Sequence, residues 1–124
     1  MKEIDILIVE DNLELVELLE AFYALLPYSY EVVHSSEAAL KVIEEKHFKI
    51  YVLDINLGTG KMHGVDLAVI IRKQSKDSKI YALTGHPEIF DKISPTIAGF
   101  NEVYYKPTDY KKLLKQIDDD LREE

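Results

Sequence analysis

Five short apolar runs alternate with five helical patterns along this chain, and that alternation restricts the fold more than any other feature. The runs are Ile4 to Val9, Tyr30 to His34, Ile50 to Leu53, Lys79 to Leu83 and Glu102 to Tyr105. Most are rich in β-branched or aromatic residues and are bounded by polar or turn-forming residues, as strands buried on both faces are. Between them apolar residues recur mostly at helical spacing. Leu13, Val16, Leu19, Ala21, Tyr23 and Leu26 follow the first run until Pro27, and Ala39, Leu40, Val42 and Ile43 follow the second. Asn12 and Ser36 stand where a side-chain oxygen can cap a helix by accepting an orphan backbone N–H. Val65 to Lys73 resumes the helical pattern, Glu88 to Ile97 predicts a weak helix broken near Pro95, and Tyr110 to Leu121 predicts the last helix. Strict (βα)₅ alternation predicts an α/β fold: a doubly wound parallel sheet with helices on both faces.

The length of 124 residues fits one domain spanning residues 1–124, and the last predicted helix runs to the end, so no output domain is expected within it. There are no cysteines, which excludes disulfides and thiolate metal sites. The formal net charge of −8 opposes contact with nucleic-acid phosphates while remaining compatible with a bound cation. Met1 to Val9 is too short and too charged for an export signal, and no apolar run approaches the ~18 residues that cross a bilayer. A cytoplasmic protein without membrane contact is expected.

In an open parallel sheet, ligands bind beyond the carboxyl ends of the strands. Glu10 and Asp11 follow the first predicted strand, Asp54 the third, Thr84 the fourth and Lys106 the fifth. Three carboxylates, a hydroxyl and an ammonium should therefore meet at one edge. Clustered carboxylates repel unless a cation joins them, and oxygen ligands select hard cations such as Mg²⁺. An Asp carboxylate can also attack phosphorus, a reaction that depends mainly on charge neutralisation at the transferring oxygens.

Glu10-Asp11, Asp54, Thr84 and Lys106-Pro107 together resemble the signature of response-regulator receiver domains of two-component signalling. The resemblance covers essentially the whole chain. It implies the flavodoxin-like strand order 2-1-3-4-5. It implies Asp54 as phosphoacceptor, with Thr84 and Lys106 engaging the phosphoryl group. Glu10, Asp11, Asp54 and Asn56 would form the Mg²⁺ site, Asn56 through its backbone carbonyl. A histidine kinase or phosphotransfer protein would be the donor, and a homodimer through the last strand and helix is compatible with the family. The alternative is a receiver-like protein-binding module that works without phosphorylation. Two departures motivate it: Val103 stands where the family usually has an aromatic, and the loop from Leu57 to Gly64 is long. A phosphate-hydrolase reading is disfavoured, because Asn56 stands where that chemistry wants a second Asp.

Several features have plainer readings. His34, His47, His63 and His86 are scattered, without transition-metal spacing. His86 lies two residues past Thr84, near the expected site, but reads best as an exposed loop histidine. Tyr104 and Tyr105 read as packing residues, and Asp118 to Asp120 as a solvated helix end.

Overall fold

A computed structural model describes residues 2–55, 64–91, 93–107 and 109–122. Five parallel strands are ordered β2-β1-β3-β4-β5: β1 (Lys2–Val9), β2 (Tyr30–Val33), β3 (Lys46–Ile55), β4 (Lys79–Thr84) and β5 (Glu102–Tyr105). The helices are α1 (Leu13–Tyr23), α2 (Ser36–Glu45), α3 (Gly64–Gln74), α4 (Pro95–Ala98) and α5 (Tyr110–Arg122), with a 3₁₀ turn at Pro87–Phe90. Among the described residues no helix is long and apolar enough to cross a membrane.

The strands bury both faces, and their alternation sorts the core into two layers. Ile6, Ile8, Ile50, Val52, Tyr81 and Leu83 pack against Leu19 and Tyr23 of α1 and Leu113, Ile117 and Leu121 of α5. Leu7, Val9, Tyr51, Leu53, Ile80 and Ala82 pack against Ala39 and Ile43 of α2, Val65, Leu67, Ala68 and Ile71 of α3, and Ala98 of α4. So α1 and α5 cover one face of the sheet, and α2, α3 and α4 cover the other.

The local signals account for most element ends. Asn12 Oδ1 accepts from the Leu15 N–H at 3.1 Å and caps α1 as expected. The cap of α2 is Ser35 rather than Ser36, and its hydroxyl accepts from the Ala38 N–H at 3.0 Å. β3 begins at Lys46, directly after α2, because Lys46 to Phe48 pair with Lys2 to Ile4 of β1. Polar Lys46, His47 and Lys49 hide that extension from a search for apolar runs. The fourth connection holds two short pieces instead of one long helix. Pro95 starts α4 instead of breaking it: Ser94 caps the Ile97 N–H at 3.2 Å, and proline suits the first turn because its missing N–H would have no partner there.

The acidic end of α5 is not simply solvated. The Tyr28 hydroxyl donates to Asp118 at 2.6 Å, and the buried Tyr81 hydroxyl donates to Asp120, so Tyr81 pins α5 to the sheet and Tyr28 pins it to the turn before β2. By contrast, the buried Tyr23 hydroxyl has no hydrogen-bond partner among the described residues. Opposite outcomes are expected for the same deletion. Tyr81→Phe leaves Asp120 without its buried donor and should cost about 1–3 kcal/mol, whereas Tyr23→Phe removes an unpaired hydroxyl and should be neutral or stabilising. Urea unfolding of the two variants checks the contrast, and equal losses would contradict it.

Candidate functional site

The carboxyl ends of β1, β3, β4 and β5 converge. Asp54 is the penultimate residue of β3 and pairs with Leu83, while the next residue, Ile55, pairs with Thr84. The Lys106 backbone N–H donates to the Thr84 carbonyl at 2.7 Å, which carries the β4–β5 ladder one step past the strand. That placement aims the Lys106 side chain at Asp54: Nζ donates to Oδ1 at 2.6 Å and lies 3.7 Å from Glu10 Oε1. The Lys106–Pro107 peptide bond is cis. Thr84 is fully buried, and its hydroxyl oxygen accepts from the His86 N–H at 3.0 Å.

Glu10 is held from three directions. Its backbone N–H donates to the Val33 carbonyl at 3.0 Å, extending the β1–β2 ladder. Its carbonyl lies 3.1 Å from His34 Nδ1, and Oε2 accepts from the Asn12 N–H at 3.2 Å. Only 1% of the residue is exposed, yet Oε1 accepts no hydrogen bond among the described residues. Burial, then the charge of Asp54 and a hydrogen bond to it, push the Glu10 carboxyl up to about 8, against the opposing pull of the Asn12 N–H and Lys106. Burial alone would lower the Lys106 ammonium. The hydrogen bond and charge of Asp54, together with the charge of Glu10, outweigh it and hold Lys106 above its usual value.

Carboxylate oxygens of Glu10, Asp11 and Asp54 lie within 4.8 Å of one another. Three hard oxygen donors at this spacing, one with an unused buried lone pair, suit a small divalent cation such as Mg²⁺ and offer nothing to a softer metal. The expected contribution of Asn56 lies outside the described residues, as do Gly58 to His63.

Gly64 fixes how closely α3 follows the site. A Cβ there would lie 2.6 Å from Ile55 Cγ1 and 3.4 Å from the Asp54 carbonyl oxygen, so only glycine lets the helix start against the end of β3. Two neighbours had no signal in the sequence. His34 braces the Glu10 carbonyl, and Tyr110, at the start of α5, feels the charges of Lys106, Glu10 and Asp54. Both come from other elements of the chain, and only the tertiary fold brings them in. His86 is the exposed loop histidine expected, with Nδ1 3.1 Å from Glu88 Oε1. Val103 is half-buried against the α2–α3 layer, and Tyr104 meets Tyr81 edge-on at 6.3 Å. Tyr105, expected to pack, is 48% exposed, because β5 is the edge strand and its last residue overhangs the layer.

The sequence profile described as "Response regulator receiver domain" matches residues 6–118. An NtrX-like response regulator of Rickettsia bellii is 27% identical over 114 residues, and a ycf27 transcriptional regulator of Cyanidium caldarium is 29% identical over 117 residues. These alignments cover 92% and 94% of this chain but 24% and 46% of those proteins. The chain therefore spans half or less of the length of these curated relatives. The response regulator TrrA of Thermotoga maritima, solved with Mg²⁺ and BeF, superposes with a TM-score of 0.80 at 27% identity, covering 97% of this chain and 99% of TrrA. TrrA in complex with the histidine kinase ThkA superposes with a TM-score of 0.79, covering 98% of this chain and 99% of that one.

Proposed function

Because the chain belongs to the response regulator receiver domain family of two-component signalling, we propose that it works as a switch set by phosphoryl transfer to Asp54. The observation that carries this reading is the 2.6 Å contact of Lys106 Nζ with Asp54 Oδ1, beside the carboxylates of Glu10 and Asp11. An Asp54 oxygen attacks phosphorus, and the bond from phosphorus to the donor's leaving group breaks as the acyl phosphate bond forms. Lys106, already at that carboxylate, follows the charge onto the phosphoryl oxygens. The Thr84 hydroxyl exchanges its place beside the His86 N–H for a bond to one of those oxygens. Glu10, Asp11 and Asp54 would hold Mg²⁺, which neutralises negative charge as the phosphoryl group arrives.

The donor in this reading is a histidine kinase or phosphotransfer protein in the cytoplasm, in keeping with the TrrA–ThkA complex. Water attack at phosphorus, with Asp54 leaving as carboxylate and inorganic phosphate released, resets the switch. The domain thus catalyses only its own phosphorylation and dephosphorylation.

The test is intact-mass measurement after incubation with acetyl phosphate and Mg²⁺. One added phosphoryl group is expected, stable to acid and labile to alkali, lost when EDTA replaces Mg²⁺ and absent in Asp54→Ala. No adduct from acetyl phosphate or from a phosphorylated kinase would leave a protein-binding module that works without phosphorylation.

A further inference from the structure

We propose that the groove between α3 and α4 receives α1 of a second copy of this chain, in a head-to-tail contact. The groove has a volume of about 380 Å³ and is lined by Val69, Arg72, Lys73, Lys76, Ile97 and Ala98. It exists because α4 is a single turn, which leaves the flank of α3 open and Ile97 78% exposed. Its floor is apolar and its rim is cationic. Among the described residues the Arg72 guanidinium donates to backbone carbonyls and Asn101, not to a carboxylate. Lys73 and Lys76 are exposed and form no ion pair among the described residues. In a chain of net charge −8, this is a place where an acidic partner is attracted.

The outward face of α1 has the matching chemistry. Leu18 (48% exposed) and Ala21 lie three residues apart on that face, and Leu25 (81% exposed) follows in the turn just past the helix end. Glu14 and Glu17, four residues before Leu18 and Ala21 respectively, stand along it, exposed and without an ion pair among the described residues. An apolar strip flanked by carboxylates is the complement of an apolar groove flanked by lysines. The two surfaces cannot meet within one molecule, because α1 covers one face of the sheet while α3 and α4 cover the other. The contact is therefore intermolecular. It joins two different surfaces, so it does not close on itself as a two-fold dimer does, and further copies can add.

Charge reversal tests it. Sedimentation equilibrium is run at about 0.15 M salt, where a Debye length of about 8 Å mutes the net repulsion between copies but not a direct contact. The average mass of the wild type should climb with concentration. Lys73→Glu/Lys76→Glu and Glu14→Lys/Glu17→Lys should each weaken association at least about tenfold, the scale of losing 1.4 kcal/mol. An equimolar mixture of the two double variants pairs one reversed groove with one reversed helix. It should regain association, with the two variants alternating along the assembly, because the native groove of one still accepts the native helix of the other. A wild type that stays monomeric at every concentration overturns the proposal. So does an assembly indifferent to both reversals, or a mixture that regains no association. Circular dichroism melting verifies that each double variant is folded.

Discussion

Arg72→Ala is expected to lower the unfolding free energy by roughly 3–5 kcal/mol, because it strips donors from several carbonyls at once. Arg72 rises from α3, and its guanidinium reaches two separate stretches of chain. Nη1 donates to the carbonyls of Ser75, Lys76 and Ser78 at 3.3, 3.1 and 2.7 Å, in the turn that leads into β4. Nε and Nη2 donate to the Gly99 carbonyl at 3.2 and 2.7 Å, and Nη2 also reaches Asn101 Oδ1 at 2.8 Å, in the turn that leads into β5. Asn101 Oδ1 in turn accepts from the Ile80 N–H at 2.7 Å, so the network extends into β4 itself. Water can serve the exposed Lys76 carbonyl, but not all of these groups together. For a domain of this size the loss corresponds to a fall in Tm of about 10–20 °C. Arg72→Lys should recover less than half, since an ammonium cannot span two turns with a planar fork. Thermal and urea unfolding give both numbers. A loss under about 1 kcal/mol would show that solvent replaces the network.

Arg72 also marks the limit of what the sequence discloses. A single arginine near the end of a helix has the same local pattern as any solvated basic residue, and its partners are carbonyls, which carry no residue identity. The strand ends were legible for the opposite reason. Asp54, Thr84 and Lys106 each follow directly on an apolar run, and a parallel sheet brings such positions to one edge, so local pattern and topology suffice to gather them. Tyr81 and Asp120 are 39 residues apart, and nothing local distinguishes Asp120 from Asp119, whose contact is the ordinary surface pair with Lys115 at 3.2 Å. Pro95 misled for a physical reason. Its effect depends on whether it stands first in a helix or inside one, and Ser94 as cap decides that.

Without Mg²⁺, the stability of the protein is expected to fall as pH rises from about 4.5 to about 8, and Glu10 is the cause. Its carboxyl titrates at its usual 4.5 when the chain is unfolded and at about 8 when it is buried beside Asp54. Between those values the folded state holds a proton that the unfolded state has released, so raising the pH favours unfolding. The contribution is complete below about 4.5 and gone above about 8. Its size is on the order of 2–4 kcal/mol, from 1.36 kcal/mol per pKa unit less the part shared with Asp54. Glu10→Gln isolates it. The amide cannot ionise, its oxygen still accepts from the Asn12 N–H, and its NH₂ can donate toward Asp54. The variant should match the wild type near pH 5 and exceed it by those few kcal/mol near pH 8. Mg²⁺ should invert the ranking. A cation needs the deprotonated carboxylate, so its stabilisation of the wild type should grow with pH, while the variant, left with two of the three carboxylates, should respond weakly. Urea unfolding in EDTA and in MgCl₂ across this range measures both effects. Parallel pH curves for wild type and variant would remove Glu10 as the cause. A Mg²⁺ response unchanged in Glu10→Gln would leave Asp11 and Asp54 as the only carboxylates of the cluster needed to hold the ion.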